Sequence, residues 1–199
     1  MQSVQELFDS TAVNAPLAHR LRPRRLEDVV GQPELTAGDS WFAALLREGR
    51  AASCIFWGPP GVGKTTLANI MAAAAAIPFA HLSAVSAGKA EVQAVVKRAK
   101  AEGRPYLLFL DEIHRFNKAQ QDVLLPYIEE GTLVLVGATT ENPSFSLNNA
   151  LLSRCRVIVL KAIEADDMQR IVQRALLILQ QDHAGFALAG VAAEWLCQA

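Results

Sequence analysis

Gly58-Pro59-Pro60-Gly61-Val62-Gly63-Lys64-Thr65 matches the pattern GxxxxGK[ST] at every fixed position. The apolar run Cys54-Ile55-Phe56-Trp57 precedes it, and the helix-forming Leu67-Ala68-Asn69-Ile70-Met71 follows. Strand, glycine loop and helix, in that order, are the setting in which this pattern cradles phosphate. Glycines let the backbone turn its N–H groups inward onto phosphate oxygens, and the amino end of the helix adds positive partial charge. Gly58, Pro59, Pro60, Gly61, Val62 and Gly63 then form the cradle. Lys64 reaches the β- and γ-phosphates, the Thr65 hydroxyl binds Mg²⁺, and Thr66 adds a phosphate hydrogen bond. A glycine-rich turn with a chance lysine does not account for so many matches in that setting. The loop indicates binding; by itself it does not indicate hydrolysis.

Downstream, Tyr106-Leu107-Leu108-Phe109-Leu110 runs into Asp111-Glu112. A magnesium site beside a phosphate loop needs a carboxylate delivered by the end of an apolar strand. Asp111 is placed to hold Mg²⁺, and Glu112 to polarise an attacking water as general base. Two exposed acids after a strand are common, but their pairing with the loop argues against that plain account. Leu133-Val134-Leu135-Val136-Gly137-Ala138 leads to Thr139-Thr140. A polar residue at this strand end would orient the lytic water or touch the γ-phosphate. Thr140 takes that role ahead of Thr139 or Asn142, although threonine also caps turns and helices. In Leu151-Leu152-Ser153-Arg154-Cys155-Arg156, Arg154 either stabilises charge on a transferring phosphoryl group or caps a helix carboxyl end. The residues alone leave both open.

Five short apolar runs organise the middle of the chain: Cys54–Trp57, 79–82, 106–110, 133–137 and 157–160. Their near-continuous apolar character predicts strands buried on both faces of a parallel sheet. Between them, Val92, Val95, Val96 and Ala99 recur at i, i+3, i+4 and i+7, one face of a helix. Alternating strands and helices give an α/β layered fold with right-handed crossovers. Arg22-Pro23 fixes an extended step. One helix is expected after Pro33, through Trp41, Leu45 and Leu46 to Gly49. After Leu160 the strand signal ends, and Ile171, Ala175, Leu176 and Leu179 mark a helix over about 165–181. A second helical segment starts near Leu188. The expected domains are a loose tail at 1–16, a nucleotide-binding α/β domain at 17–162, and a partial helical lid at 163–199.

The 199 residues are 51% apolar and 20% charged, as in a soluble globular protein, and the net charge of −1 gives no global drive toward nucleic acid. The local basic stretch His19, Arg20, Arg22, Arg24 and Arg25 is either such a contact or a solvated turn before the first helix. Cys54, Cys155 and Cys197 form no CxxC pair, which points to a reduced, cytoplasmic setting. The histidines lack zinc spacing. The apolar stretch near Ile70–Ile77 is too short to span a bilayer, and Glu6 and Asp9 do not fit a signal peptide, so no membrane partner is expected. His114, Arg115, Asn117 and Lys118 would face DNA, a subunit interface or plain solvent. Ser83 would either hold Glu112 back or act as a cap.

The ordered set of Arg22-Pro23, Val30-Gly31-Gln32, Gly58–Thr66, Leu107–Asn117, Gly137–Phe145 and Leu151–Cys155 resembles the AAA+ ATPases of the clamp-loader and RuvB branch. Asp111–Lys118 together with Gly137–Phe145 resembles, more narrowly, the replication-associated recombination protein A (RarA, MgsA) family. The resemblance covers roughly residues 17–181. It implies a five-stranded parallel sheet in the order 5-1-4-3-2, flanked by helices and followed by a lid. It implies that Val30 and Gly31 lie near the adenine, that Thr140 is the first sensor, and that Arg154 is a finger acting on ATP held by a neighbouring subunit. The family implies a DNA-dependent ATPase using ATP and Mg²⁺, assembled as oligomers, typically tetramers. It acts at single-stranded gaps, ends or forks with single-stranded-DNA-binding protein. Family members continue through a full lid, so a second sensor is expected beyond residue 199. Clamp loading, branch migration and a non-hydrolysing nucleotide-bound scaffold are the alternatives. Intact Lys64, Asp111, Glu112 and Arg154 speak against the scaffold. Gln5-Glu6-Leu7-Phe8 resembles a sliding-clamp-binding peptide but lacks its first glutamine, which leaves a tail.

Overall fold

The computed structural model describes residues 16–182. Most of the tail, the helical segment near Leu188, the Gln5–Phe8 stretch and Cys197 lie outside the described residues. In chain order the elements are α1 (Leu17–Arg20), α2 (Pro33–Thr36), α3 (Trp41–Arg47), β1 (Cys54–Trp57), α4 (Lys64–Ala74), β2 (Phe79–Ser83), α5 (Lys89–Glu102), β3 (Tyr106–Asp111), α6 (Lys118–Glu129), β4 (Leu133–Thr139), α7 (Pro143–Ser146), α8 (Asn149–Leu152), β5 (Arg156–Val159) and α9 (Ala165–Asp182). The chain divides into two compact units, Glu34–Ala162 and a smaller one containing 16–33 with 163–182.

In the larger unit all strand pairs are parallel, and the order is β2-β3-β4-β1-β5, the expected 5-1-4-3-2. Burial follows position in the sheet. Tyr106–Leu110 of β3 and most of β4 are buried, as continuous apolar strands should be when helices cover both faces. The expectation of two-faced burial fails for β2 and β5, which are half-buried and largely exposed. Each is an edge strand with a neighbour on one side only. Val92, Val95, Val96 and Ala99 of α5 are all buried and join Leu108, Leu110, Leu124 and Leu135 in one core. Helix α5 stops at Gly103, whose φ of 63° is the left-handed cap that glycine tolerates.

The single helix expected from Pro33 to Gly49 is two. Ser40 breaks it: its hydroxyl donates to the Leu35 carbonyl (2.6 Å) and accepts from the Ala43 N–H (3.0 Å), which starts α3 afresh. A serine that caps well competes with helix continuation.

In the smaller unit, α9 leaves Ile171, Ala175, Leu176 and Leu179 partly buried, as the spacing predicts. His19 and Arg20 lie inside α1 and not in a turn ahead of the first helix. Arg20 makes a two-pronged ion pair with Asp182, with Nη2 donating to Oδ1 at 2.9 Å. Arg20 is thus tied to Asp182 and does not lie in a solvated turn ahead of the first helix. No helix among the described residues is long and apolar enough to cross a membrane.

Candidate active site

Parallel pairing brings the carboxyl ends of β1, β2, β3 and β4 to one edge of the sheet. Trp57 stands opposite Thr139, Leu110 opposite Gly137, and Ser83 opposite Asp111. The carboxyl ends of β1, β3 and β4 thus deliver Gly58, Asp111 and Thr139 side by side, where parallel α/β sheets place their ligands. The loop is anchored at its start, where the Gly58 N–H donates to the Thr139 carbonyl at 3.1 Å. A Cβ on Gly58 would stand 2.4 Å from the Leu160 carbonyl oxygen, so only glycine passes here. At Gly63 φ is 94°, and this left-handed turn carries the chain into α4. Lys64, Thr65 and Thr66 form the first turn of α4, where backbone N–H groups have no helical partner and attract anions. The Lys64 ammonium donates to the carbonyls of Gly58 (2.7 Å) and Pro59 (2.6 Å). Burial holds its pKa below the ordinary lysine value, and the neighbouring Asp111 carboxylate acts against that shift.

Asp111 ends β3 half-buried, and its Oδ1 accepts from the Glu112 N–H at 3.1 Å. Glu112 then takes φ 52°, a left-handed conformation uncommon for a residue with a Cβ. Its half-exposed carboxylate lies 3.9 Å from the Arg115 guanidinium. A short 3-10 turn, Ile113–Arg115, follows, with Ile113 fully buried.

His114 faces into the fold, which corrects the expectation that it faces DNA, a subunit interface or solvent. Its side chain is 5% exposed, with Nδ1 3.0 Å from Thr139 Oγ1 and Nε2 3.6 Å from Glu141 Oε1. The available signal is its place between buried Ile113 and Phe116. Arg115 and Lys118 are exposed, and Asn117 caps α6 by accepting from the Gln120 N–H at 2.9 Å.

Thr139 is buried as the last residue of β4, whereas Thr140 follows the strand and is exposed. Asn142 caps α7, accepting from the Ser144 N–H at 3.0 Å. Ser83 closes β2, its carbonyl accepting from the N–H groups of Ser86 (3.1 Å) and Ala87 (2.8 Å).

Arg154 lies at the other edge. Arg156 pairs with Cys54, the first residue of β1, while the loop follows the last. The length of β1, roughly 13 Å at the usual rise per strand residue, separates the two levels. The Arg154 guanidinium is held there: Nε donates to Glu129 Oε1 (2.6 Å), and Nη1 to the Ala150 carbonyl (2.8 Å) and to Ser153 Oγ (3.1 Å). Val30 and Gly31 belong to the smaller unit, where Gly31 and Gln32 take φ of 76° and 57°. Cys54 and Cys155 are free and buried, and burial pushes both thiols up, Cys155 to about 12.

A phosphate loop and an acidic strand end on the carboxyl edge of this sheet define a P-loop nucleotide-binding domain. The family model of the ATPase family associated with various cellular activities (AAA) matches residues 54–162, more than half of the chain, and the chain belongs to that family. It is 51% identical over 162 residues to Replication-associated recombination protein A of Coxiella burnetii, covering 81% of this chain and 37% of that protein. To the protein of the same name in Escherichia coli it is 46% identical over 164 residues, with 81% and 37% covered. The chain thus spans about 37% of the length of these relatives. The narrower resemblance read from Asp111–Lys118 and Gly137–Phe145 is borne out by them. Among solved structures, the RuvB Holliday junction branch migration motor of Thermotoga maritima superposes with a TM-score of 0.69 at 29% identity, covering 89% of this chain and 59% of that one.

Proposed function

We propose that this chain hydrolyses ATP with Mg²⁺ and belongs to a DNA-dependent machine of replication-fork maintenance, recombination and repair. One observation carries the ATPase reading: the phosphate loop leaves the end of β1 and Asp111 ends β3 at the same carboxyl edge, with the end of β4 between them. The donor set suits Mg²⁺, since the Thr65 hydroxyl and the Asp111 carboxylate offer the hard oxygens it prefers. When bound, Mg²⁺ supplies charge neutralisation between the β- and γ-phosphates. The N–H groups of Gly61, Val62 and Gly63 and the Thr66 hydroxyl hold the phosphates, Gly58, Pro59 and Pro60 shape the cradle, and Lys64 is the point charge. Glu112 takes the proton of the attacking water. Thr140 orients that water. Val30 and Gly31 flank the adenine. Residues 17–162 serve as the nucleotide-binding domain and 163–199 as the beginning of a lid.

Arg154 acts on a neighbour's ATP. Its support is its place: it stands at the amino edge, away from its own loop. This requires self-association, and the family resemblance implies a tetramer. The relatives' name, Replication-associated recombination protein A, supports a DNA partner, and the resemblance adds single-stranded gaps, ends or forks and single-stranded-DNA-binding protein.

The test is ATP turnover by the intact protein with and without single-stranded, forked and four-way DNA, beside Glu112→Gln. Turnover stimulated by single-stranded ends or forks is expected, and Glu112→Gln should bind MgATP yet turn over no faster than background. Binding without wild-type turnover would make the chain a nucleotide-bound scaffold. Turnover indifferent to all DNA removes the DNA assignment, and stimulation by four-way junctions alone transfers it to branch migration.

A further inference from the structure

The segment that carries Glu112 is tied to β4 twice. The first tie is apolar: Ile113 is fully buried against Gly137, where a Cβ would come within 2.8 Å of Ile113 Cδ1. The second is polar: His114 Nδ1 lies 3.0 Å from the buried Thr139 hydroxyl. That hydroxyl accepts from the Glu141 N–H (3.0 Å) and lies 3.2 Å from the Glu141 carbonyl oxygen. A hydroxyl has one proton and two lone pairs. It either gives its proton to the Glu141 carbonyl and accepts from Nδ1–H, or gives it to Nδ1 while Nε2–H faces the Glu141 carboxylate; both arrangements make the tie. Nε2 lies 3.6 Å from that carboxylate.

Between the two ties and Asp111 sits Glu112 at φ 52°. A glutamate stays in the left-handed region only where its surroundings hold it. The Arg115 N–H closes the turn on the Glu112 carbonyl at 2.8 Å. Release of His114 from Thr139 would free this turn to relax.

We infer that His114 is a positioning residue: by bonding the Ile113–Arg115 turn to the Thr139–Glu141 turn, it fixes where Glu112 stands relative to the end of β4. It touches no reacting group itself. The inference rests on the ATPase reading and on Glu112 as its base.

The experiment measures kcat and MgATP affinity of the intact protein carrying His114→Asn, His114→Gln or His114→Ala. Asparagine can place an amide group near the position of Nδ1, whereas glutamine reaches toward that of Nε2. His114→Gln and His114→Ala should lower kcat by about tenfold, the effect of one well-placed hydrogen bond, with affinity for ATP changed by less than about twofold. His114→Asn should keep most of the rate. Adding His114→Ala to Thr139→Val should cost nothing further, because both remove the same tie. Should His114→Ala not fold, as judged by circular dichroism, the comparison of asparagine with glutamine decides. The inference is overturned if asparagine is as impaired as glutamine, if His114→Gln turns over at the wild-type rate, or if the loss lies in ATP affinity. Wild-type protein that does not hydrolyse ATP removes the ATPase reading instead.

Discussion

Gly58→Ala adds one methyl group at the narrowest point of the phosphate loop. The new Cβ would stand 2.4 Å from the Leu160 carbonyl oxygen, 3.0 Å from Leu160 Cβ and 3.1 Å from its carbonyl carbon. Close carbon–oxygen contacts in proteins lie at about 3.3–3.6 Å, so the overlap is about 1 Å. It falls on backbone, which no rotamer change relieves. The strands have little freedom to part. The Gly58 N–H is bonded to Thr139 (3.1 Å), and the Leu160 N–H to the Trp57 carbonyl (2.7 Å). Overpacking of this kind costs about 1–3 kcal/mol, and a backbone clash belongs at the upper end. At about 2–4 °C per kcal/mol for a chain of this size, Tm should fall by about 6–12 °C. Gly61→Ala is the control. A Cβ there meets nothing within 4 Å, and the strain of φ +80° is its only cost. That strain is about 1–2 kcal/mol, so its Tm should fall by about 2–8 °C, less than for Gly58→Ala. Thermal unfolding followed by circular dichroism measures both. A Gly58→Ala protein that melts with the wild type, or no lower than Gly61→Ala, would refute the close approach of Leu160.

Lys64→Ala should weaken MgATP binding in calorimetry by removing the point charge that meets the phosphates, and undiminished affinity would displace Lys64 from that role. Arg154→Ala should leave ATP affinity nearly unchanged while lowering hydrolysis by about 10³–10⁵, the usual effect of an arginine finger, and lysine should rescue poorly. Mixing Lys64→Ala with Arg154→Ala chains should restore part of the activity. Mixed oligomers that stay inactive would assign Arg154 to its own subunit or to structure alone. Cys54 and Cys155 should resist alkylation at about pH 8, because a thiol whose pKa burial raises stays protonated and unreactive there. Mass mapping of native protein labelled at either position would contradict their burial.

The phosphate loop and the acid pair are legible because their chemistry fixes residue types at fixed spacing. The layered α/β class follows from apolar runs that alternate with helical periods. The strand order does not follow from those runs, since periodicity carries no record of which strands are neighbours; the family resemblance supplied it. The break at Ser40 was hidden because Trp41, Leu45 and Leu46 keep a helical pattern across a residue whose hydroxyl starts a new helix. Hydropathy does not separate Thr139 from Thr140, because only the pairing with Trp57 tells which threonine still belongs to the strand. The burial of His114 was hidden for a related reason, as a histidine beside charged neighbours gives no hydropathy signal of its own.

The placement of Arg154 and the phosphate loop at opposite edges of one sheet gives the chain a direction. In the proposed contact an arginine edge meets a loop edge, so the joint is head to tail and unlike faces touch. A two-fold pair sets like against like and completes no site. An open row leaves an unserved loop at one end and an idle arginine at the other, and closure into a ring removes both. Turnover per chain should therefore report closure as well as chemistry. A defect at Arg154 should silence the next chain's site and spare its own.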